Sequence, residues 1–147
     1  MPTMTAAQQR TARKREYDAF LAVCPSRQLL ARISDKWVAL ILAALSGDGP
    51  GSEPGVDPRP MRYSELARQI SGVSQKMLTQ TLRSLERDGL VTRTVTATVP
   101  VTVTYELTEI GLSLQSVMRG IKAWAEAHMD EVQAYRDDHD RRQDEAI

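Results

Sequence analysis

Between Ser64 and Leu107 the chain changes its hydrophobic period, and few folds accept that order of elements. Leu66, Ala67 and Ile70 follow helical spacing behind Ser64, a residue suited to cap a helix. Ser71-Gly72-Val73 interrupts the spacing, with Gly72 where a left-handed residue can end a helix. Ser74 then caps a second helix in which Leu78, Leu82 and Leu85 form an inward row, and Asp88-Gly89 closes it. From Val91 the period drops to two. Val91, Val95 and Val99, then Val101, Val103, Tyr105 and Leu107, alternate with threonine at most intervening positions. That pattern predicts a two-stranded hairpin with Pro100 near its tip.

Two helices joined by about three residues including a glycine form the helix-turn-helix pattern, and the hairpin that follows stands where a wing would. The flanks fit around this unit. Met61-Arg62-Tyr63 is a short strand candidate. Upstream, Tyr17, Phe20, Leu21 and Cys24 share one helical face, and Pro25 suits the first position of a short helix with Cys24 just outside it. Asp35 caps the next helix, whose stripe is Trp37, Leu40, Ile41, Ala44 and Leu45. Residues 47–60 hold four of the eight glycines and four of the seven prolines, which predicts a flexible surface loop. Thr108 caps a long helix with Ile110, Leu114, Val117, Met118, Ile121, Trp124, Ala125 and His128 on one stripe; beyond about Asp137 the charge-rich end is expected to fray. That stripe exceeds what so small a core needs, which favours a dimer. Met61, Met77, Met118 and Met129 are read as packing residues, and His128 as a packed or interface histidine.

The second helix of the pair carries the chemistry. Opposite its leucine row lie Lys76, Gln80, Arg83 and Arg87, with Ser74, Gln75 and Thr79 near its start. Amides suit adenine edges or phosphates, hydroxyls suit phosphates, and cations suit guanine or the backbone of duplex DNA. Arg93, Thr98 and Pro100 of the hairpin are expected to reach a flanking backbone or minor groove, and Arg62, Tyr63 and Lys36 are further candidate phosphate ligands. Charge distribution points the same way. The whole chain is formally neutral, but residues 59–93 carry seven basic and three acidic side chains, whereas residues 126–147 carry three basic and eight acidic.

Other chemistries lack their residues. One cysteine excludes an internal disulfide and a multi-thiolate metal site. No Ser/His/Asp arrangement, metal-ligand cluster or phosphate loop is visible, so neither an enzyme nor a cofactor is expected. No secretion signal is seen, and the longest apolar run, Val38–Leu45, is too short to span a bilayer; the expected location is cytoplasmic. Cys24 itself admits two readings. A thiol at a helix N-terminus with Arg27 one turn away is biased toward thiolate, which suits sensing of an electrophile or oxidant, while a buried free cysteine also packs as a small hydrophobe.

The Cys-Pro pair at 24–25, DKWVALILAAL at 35–45, RYSELARQISGVSQKMLTQTLRSLERDGLVTR at 62–93 and PVTVTYELTEIG at 100–111 together resemble the HxlR family of bacterial winged-helix regulators, over roughly Cys24 to Trp124. The resemblance implies a mostly helical α+β winged helix-turn-helix, a recognition helix starting at Ser74, and a homodimer formed by N- and C-terminal helices. It divides the chain into an N-terminal dimerisation arm (1–23), a DNA-binding domain (24–107) with the 47–60 insertion, a C-terminal dimerisation helix (108–136) and a charged tail (137–147). It also implies a double-stranded DNA operator as partner, regulation of nearby metabolic or stress genes, and, in some members, a switch at the cysteine matching Cys24; the main expectation is a DNA-binding repressor or activator, with repression favoured. A winged-helix adaptor for another protein, or a regulator answering to a non-covalent small ligand, are the competing expectations.

Overall fold

The computed structural model describes residues 2–49, 53 and 55–146. The chain forms two compact units, residues 1–39 and 40–147. In the first, α1 (Ala6–Val23) opens with a reciprocal cap: Thr5 Oγ1 accepts from Gln8 N–H at 3.1 Å, and Thr5 N–H donates to Gln8 Oε1 at 2.8 Å. Cys24 separates α1 from α2 (Pro25–Ile33), whose first residue is the proline. Neither helix buries a residue, and Tyr17 and Phe20 are exposed. Asp35 caps α3 (Lys36–Ser46) as expected, its Oδ1 accepting from Trp37 N–H at 2.8 Å.

In the second unit, β1 (Met61–Arg62), α4 (Tyr63–Gln69), α5 (Gln75–Arg87), β2 (Val91–Thr96), β3 (Thr102–Leu107) and α6 (Glu109–Glu145) follow the remainder of α3. The antiparallel sheet has the order β1-β3-β2; Met61 pairs with Tyr105, and β2 pairs with β3 from Val91↔Leu107 to Thr96↔Thr102. Ile41, Leu42, Leu45, Met61, Leu66, Ile70, Leu78, Leu82, Leu85, Val91 and Leu107 are buried and make up the core of this unit. Burying each large aliphatic side chain is worth about 1.5–3 kcal/mol. The leucine row of α5 is therefore what fixes that helix's rotation.

Several expectations shift at this level. Tyr63 belongs to the helix and not to the strand, so Ser64 is not the cap; Glu65 Oε1 instead accepts the Arg62 N–H at 3.2 Å. The long helix does not fray near Asp137 but continues to Glu145, with Asp138 pairing Arg141 and Arg142 one turn on. Of the four methionines read as packing residues, Met61 is buried, Met118 is half-buried, and Met77 and Met129 are exposed. Within the 47–60 insertion, residues 50–52 and 54 lie outside the described residues. The start of that loop is anchored, because Asp48 Oδ2 accepts from Ser46 Oγ (3.1 Å), Gln115 Nε2 (3.0 Å) and Arg119 Nε (2.6 Å). Burial raises the Asp48 pKa, but the hydrogen bonds from Arg119, Gln115 and Ser46 outweigh it and hold the carboxyl below its ordinary value.

The wing, α5 and α6 meet at one junction. Thr108 Oγ1 donates to Gly89 O at 2.6 Å and accepts from Gly111 N–H at 3.2 Å, and Thr108 N–H donates to Leu90 O at 3.0 Å. Gly111 is required by this approach: a Cβ there would collide with the Leu90 carbonyl oxygen.

Candidate nucleic-acid interface

The turn between α4 and α5 is built by Gly72, whose φ of +88° lies in the left-handed region. Ser74 follows as the N-cap of α5, its Oγ accepting from Met77 N–H at 3.1 Å. Leu78, Leu82 and Leu85 are at most 1% exposed, and Thr81 is buried beside them, donating its hydroxyl to Met77 O at 2.7 Å. The opposite face consequently points outward. Ser74, Gln75, Lys76, Gln80, Arg83 and Arg87 are all exposed, and Thr79 is half-buried.

Tyr63 has a different place from the one the sequence suggests. Its hydroxyl donates to Gln75 O at 3.1 Å and touches Thr79 Oγ1 at 3.3 Å, so it braces α4 against the first turn of α5. A phosphate would have to compete for that proton. The partners lie 12 and 16 residues away, and no local pattern signals them. Arg62 is exposed at the end of β1, opposite Thr104.

A groove runs between α5 and the wing. Gln75, Thr79, Arg83 and Glu86 line one wall, and Arg93 and Tyr105 the other. Arg93 sits opposite Tyr105 in the β2–β3 ladder, which turns it toward the helix. Glu86 lies near the C-terminal end of this wall and is exposed. At the wing tip Thr98 is committed internally: its hydroxyl donates to Pro100 O at 2.7 Å and meets Thr102 Oγ1 at 3.1 Å. Pro100 is exposed.

Chemistry of this kind is a surface for a polyanion and for the edges of bases, with amides, hydroxyls and cations on one helical face. Among the described residues, no group of three or more His, Cys, Asp or Glu side chains could hold a metal ion. No helix among them is long and apolar enough to cross a membrane.

The description "HxlR-like helix-turn-helix" matches residues 32–133. The chain belongs to the HxlR-like helix-turn-helix family. It is 37% identical to the HTH-type transcriptional regulator YtfH of Escherichia coli (strain K12), over 84% of this chain and 90% of that one. The solved YtfH regulator of Salmonella typhimurium aligns with a TM-score of 0.62 at 36% identity, covering 80% of this chain and 96% of its own. The redox regulator HypR in its reduced form aligns with a TM-score of 0.62 at 31% identity, covering 76% and 99%. The HxlR-type chain is thus a winged-helix transcriptional regulator with a DNA-binding helix-turn-helix.

In the first unit, two predicted residues have their own surroundings. Lys36 is exposed, its Nζ 4.5 Å from the centroid of the Trp37 ring. Cys24 is half-buried and outside both helices. Hydrogen bonding from the Arg27 N–H and then the Ser26 N–H, with smaller help from the Ser26 hydroxyl and the Arg27 charge, lowers its pKa against a weaker opposing effect of burial. These are the free donors of the α2 N-terminus.

Proposed function

We propose that this HxlR-type regulator is a cytoplasmic homodimeric repressor that places two α5 helices in successive major grooves of an operator, about 34 Å apart. One observation carries the reading: Gln75, Lys76, Gln80 and Arg83 stand exposed on a helix whose opposite side is locked into the core. Gln75 and Gln80 are suited to adenine edges, Lys76 and Arg83 to guanine or phosphate, and Ser74, Thr79, Arg62 and Arg93 to the backbone. Tyr63 serves as a brace behind them. Lys36, Thr98 and Pro100 are secondary contacts.

Dimerisation through α1 and α6 is supported by their uncovered apolar side chains. Ile110, Val117, Ile121 and Trp124 of α6 are each about half exposed, and Tyr17, Phe20 and Val23 of α1 more so. His128 stacks on Trp124 at 4.6 Å, extending that stripe. Cys24, with its lowered pKa, is the thiol on which an oxidant or electrophile would act, giving a mixed or intersubunit disulfide or an alkylated product.

Duplex binding as a function of salt tests the central claim. A phosphate-tracking dimer loses affinity steeply with salt, whereas an adaptor for another protein shows little duplex binding at moderate salt. Lys76→Ala or Arg83→Ala should cost about 1–3 kcal/mol where the side chain reads a base, or flatten the salt slope by about 1 where it meets phosphate. Unchanged affinity and slope in both variants refute the proposed use of α5.

A further inference from the structure

Asp48 clasps the start of the 47–60 insertion to α6, and packing alone does not account for the way it does so. Its Oδ2 accepts from Ser46, Gln115 and Arg119, and its own N–H donates to Ala43 O at 2.8 Å, which fixes the carboxylate from the α3 side. Gln115 is only 4% exposed, yet its Oε1 is buried without a hydrogen-bond partner among the described residues. A leucine of similar size would not carry that penalty, so the amide is explained only by what its N–H holds. Gly111, Gln115 and Arg119 follow one another at four-residue spacing on one face of α6. The exposed Ile110, Val117, Ile121 and Trp124 lie on another. The clasp therefore grips α6 without covering the side chains that a second copy would use.

We propose that Asp48, Gln115 and Arg119 are positioning residues for DNA binding: they fix the direction in which α6 leaves the DNA-binding unit, and so set the half-site spacing that the regulator accepts. The inference rests on the homodimeric DNA-binding reading above. At Gly111 the helix passes so close to Leu90 O that no Cβ would fit, and Arg119 lies about 12 Å further along. Two attachments that far apart define a direction, whereas the first alone is a pivot. A slack of about 1 Å at Arg119 is a swing of about 5° over that distance. With half-sites about 34 Å apart, each α5 stands about 17 Å from the two-fold axis, so the swing shifts each by about 1.5 Å and the pair by about 3 Å. Successive base pairs rise by about 3.4 Å. Loosening the clasp by less than a bond length is thus worth about one base pair of register. A carboxylate that receives a guanidinium and an amide suits this task, because charge-assisted hydrogen bonds are directional where apolar packing is not.

The test uses the full-length chain and a two-half-site duplex recovered with it by selection from a random-sequence pool. The spacer of that duplex is then lengthened or shortened by one base pair, and a single half-site serves as reference. The parent should bind the altered spacers roughly tenfold more weakly than the selected one. Asp48→Asn and Arg119→Gln should each narrow that gap to about threefold while leaving affinity for the single half-site unchanged. The double variant should match either single one, because both break the same contact. Gln115→Leu fills the space without an orphaned oxygen, so it should keep the parent's urea midpoint and still lose spacing discrimination; it also guards against a fold weakened by the charge changes. Folded variants that discriminate spacers as sharply as the parent overturn the proposal. Equal loss on every duplex, the single half-site included, overturns it too, by making the clasp merely structural. If the folded parent recovers no duplex, or only single half-sites, the dimeric DNA-binding reading fails and the proposal with it; a parent that prefers one spacing while its variants share that preference refutes the clasp alone.

Discussion

Replacing Gly111 by alanine should destabilise the protein, against the usual effect of that change inside a helix. Alanine is favoured over glycine at helical positions by about 0.5–1 kcal/mol. Gly120, on the same helix and with no atom within 4 Å of a new Cβ, should show that gain almost whole. At Gly111 the added carbon would strike the Leu90 carbonyl oxygen and sit 3.3 Å from Leu107 Cδ2. The carbonyl cannot simply swing away, because it accepts the Thr108 N–H at 3.0 Å, a bond worth about 0.5–1.5 kcal/mol net. Overpacking costs about 1–3 kcal/mol, so after the intrinsic gain a net loss of roughly 1 kcal/mol is expected. Urea denaturation at one fixed protein concentration measures it, since any self-association makes apparent stability depend on concentration. Gly111→Ala should lower the midpoint at constant slope while Gly120→Ala raises it. A Gly111→Ala midpoint at or above the parent's refutes the close approach of α6 to the α5–β2 turn.

Tyr63→Phe removes the hydroxyl that braces α5 and should cost about 0.5–1.5 kcal/mol of stability; weaker duplex binding with stability unchanged would return Tyr63 to the phosphate contacts. Asp48 has its pKa lowered in the fold, so its contribution is present above the ordinary aspartate value of 3.8 and lost as pH falls through the folded value. Asp48→Asn should therefore flatten the acid limb of stability against pH, and a limb as steep as the parent's counts against the anchor. Native Cys24 should react with iodoacetamide at pH 7 faster than the same thiol in urea, because its folded pKa lies below 9.0. Faster reaction in urea would contradict that. Diamide should weaken duplex binding by the parent and not by Cys24→Ser, and equal loss in both would acquit this thiol.

Local signals made most of the second unit legible. The leucine row, the Ser74 cap and the left-handed Gly72 each report on neighbours within a few residues, and they place α5 correctly. The same holds for Pro25 opening α2 and Thr108 capping α6. What escaped notice depends on distant partners. Asp48 looks like one more loop residue until Gln115 and Arg119, 67 and 71 positions on, close around it. Tyr63 looks like a surface ligand until Gln75 and Thr79 claim its hydroxyl. The helical tail is a different case. Its charges suggested fraying, although Asp138, Arg141 and Arg142 already stand at the three- and four-residue spacings that let opposite charges pair on a helix.

The unbroken run of α6 makes it a lever. Thirty-seven residues at about 1.5 Å each give a rod of about 55 Å, rooted at the Thr108–Gly111 junction where the wing and α5 also end. Tilting such a rod by about ten degrees at its root would carry its far end about 10 Å. A force on the distal turns would act with mechanical advantage on the hub that orients α5 and the hairpin, and a small tilt at that hub would be magnified at Glu145.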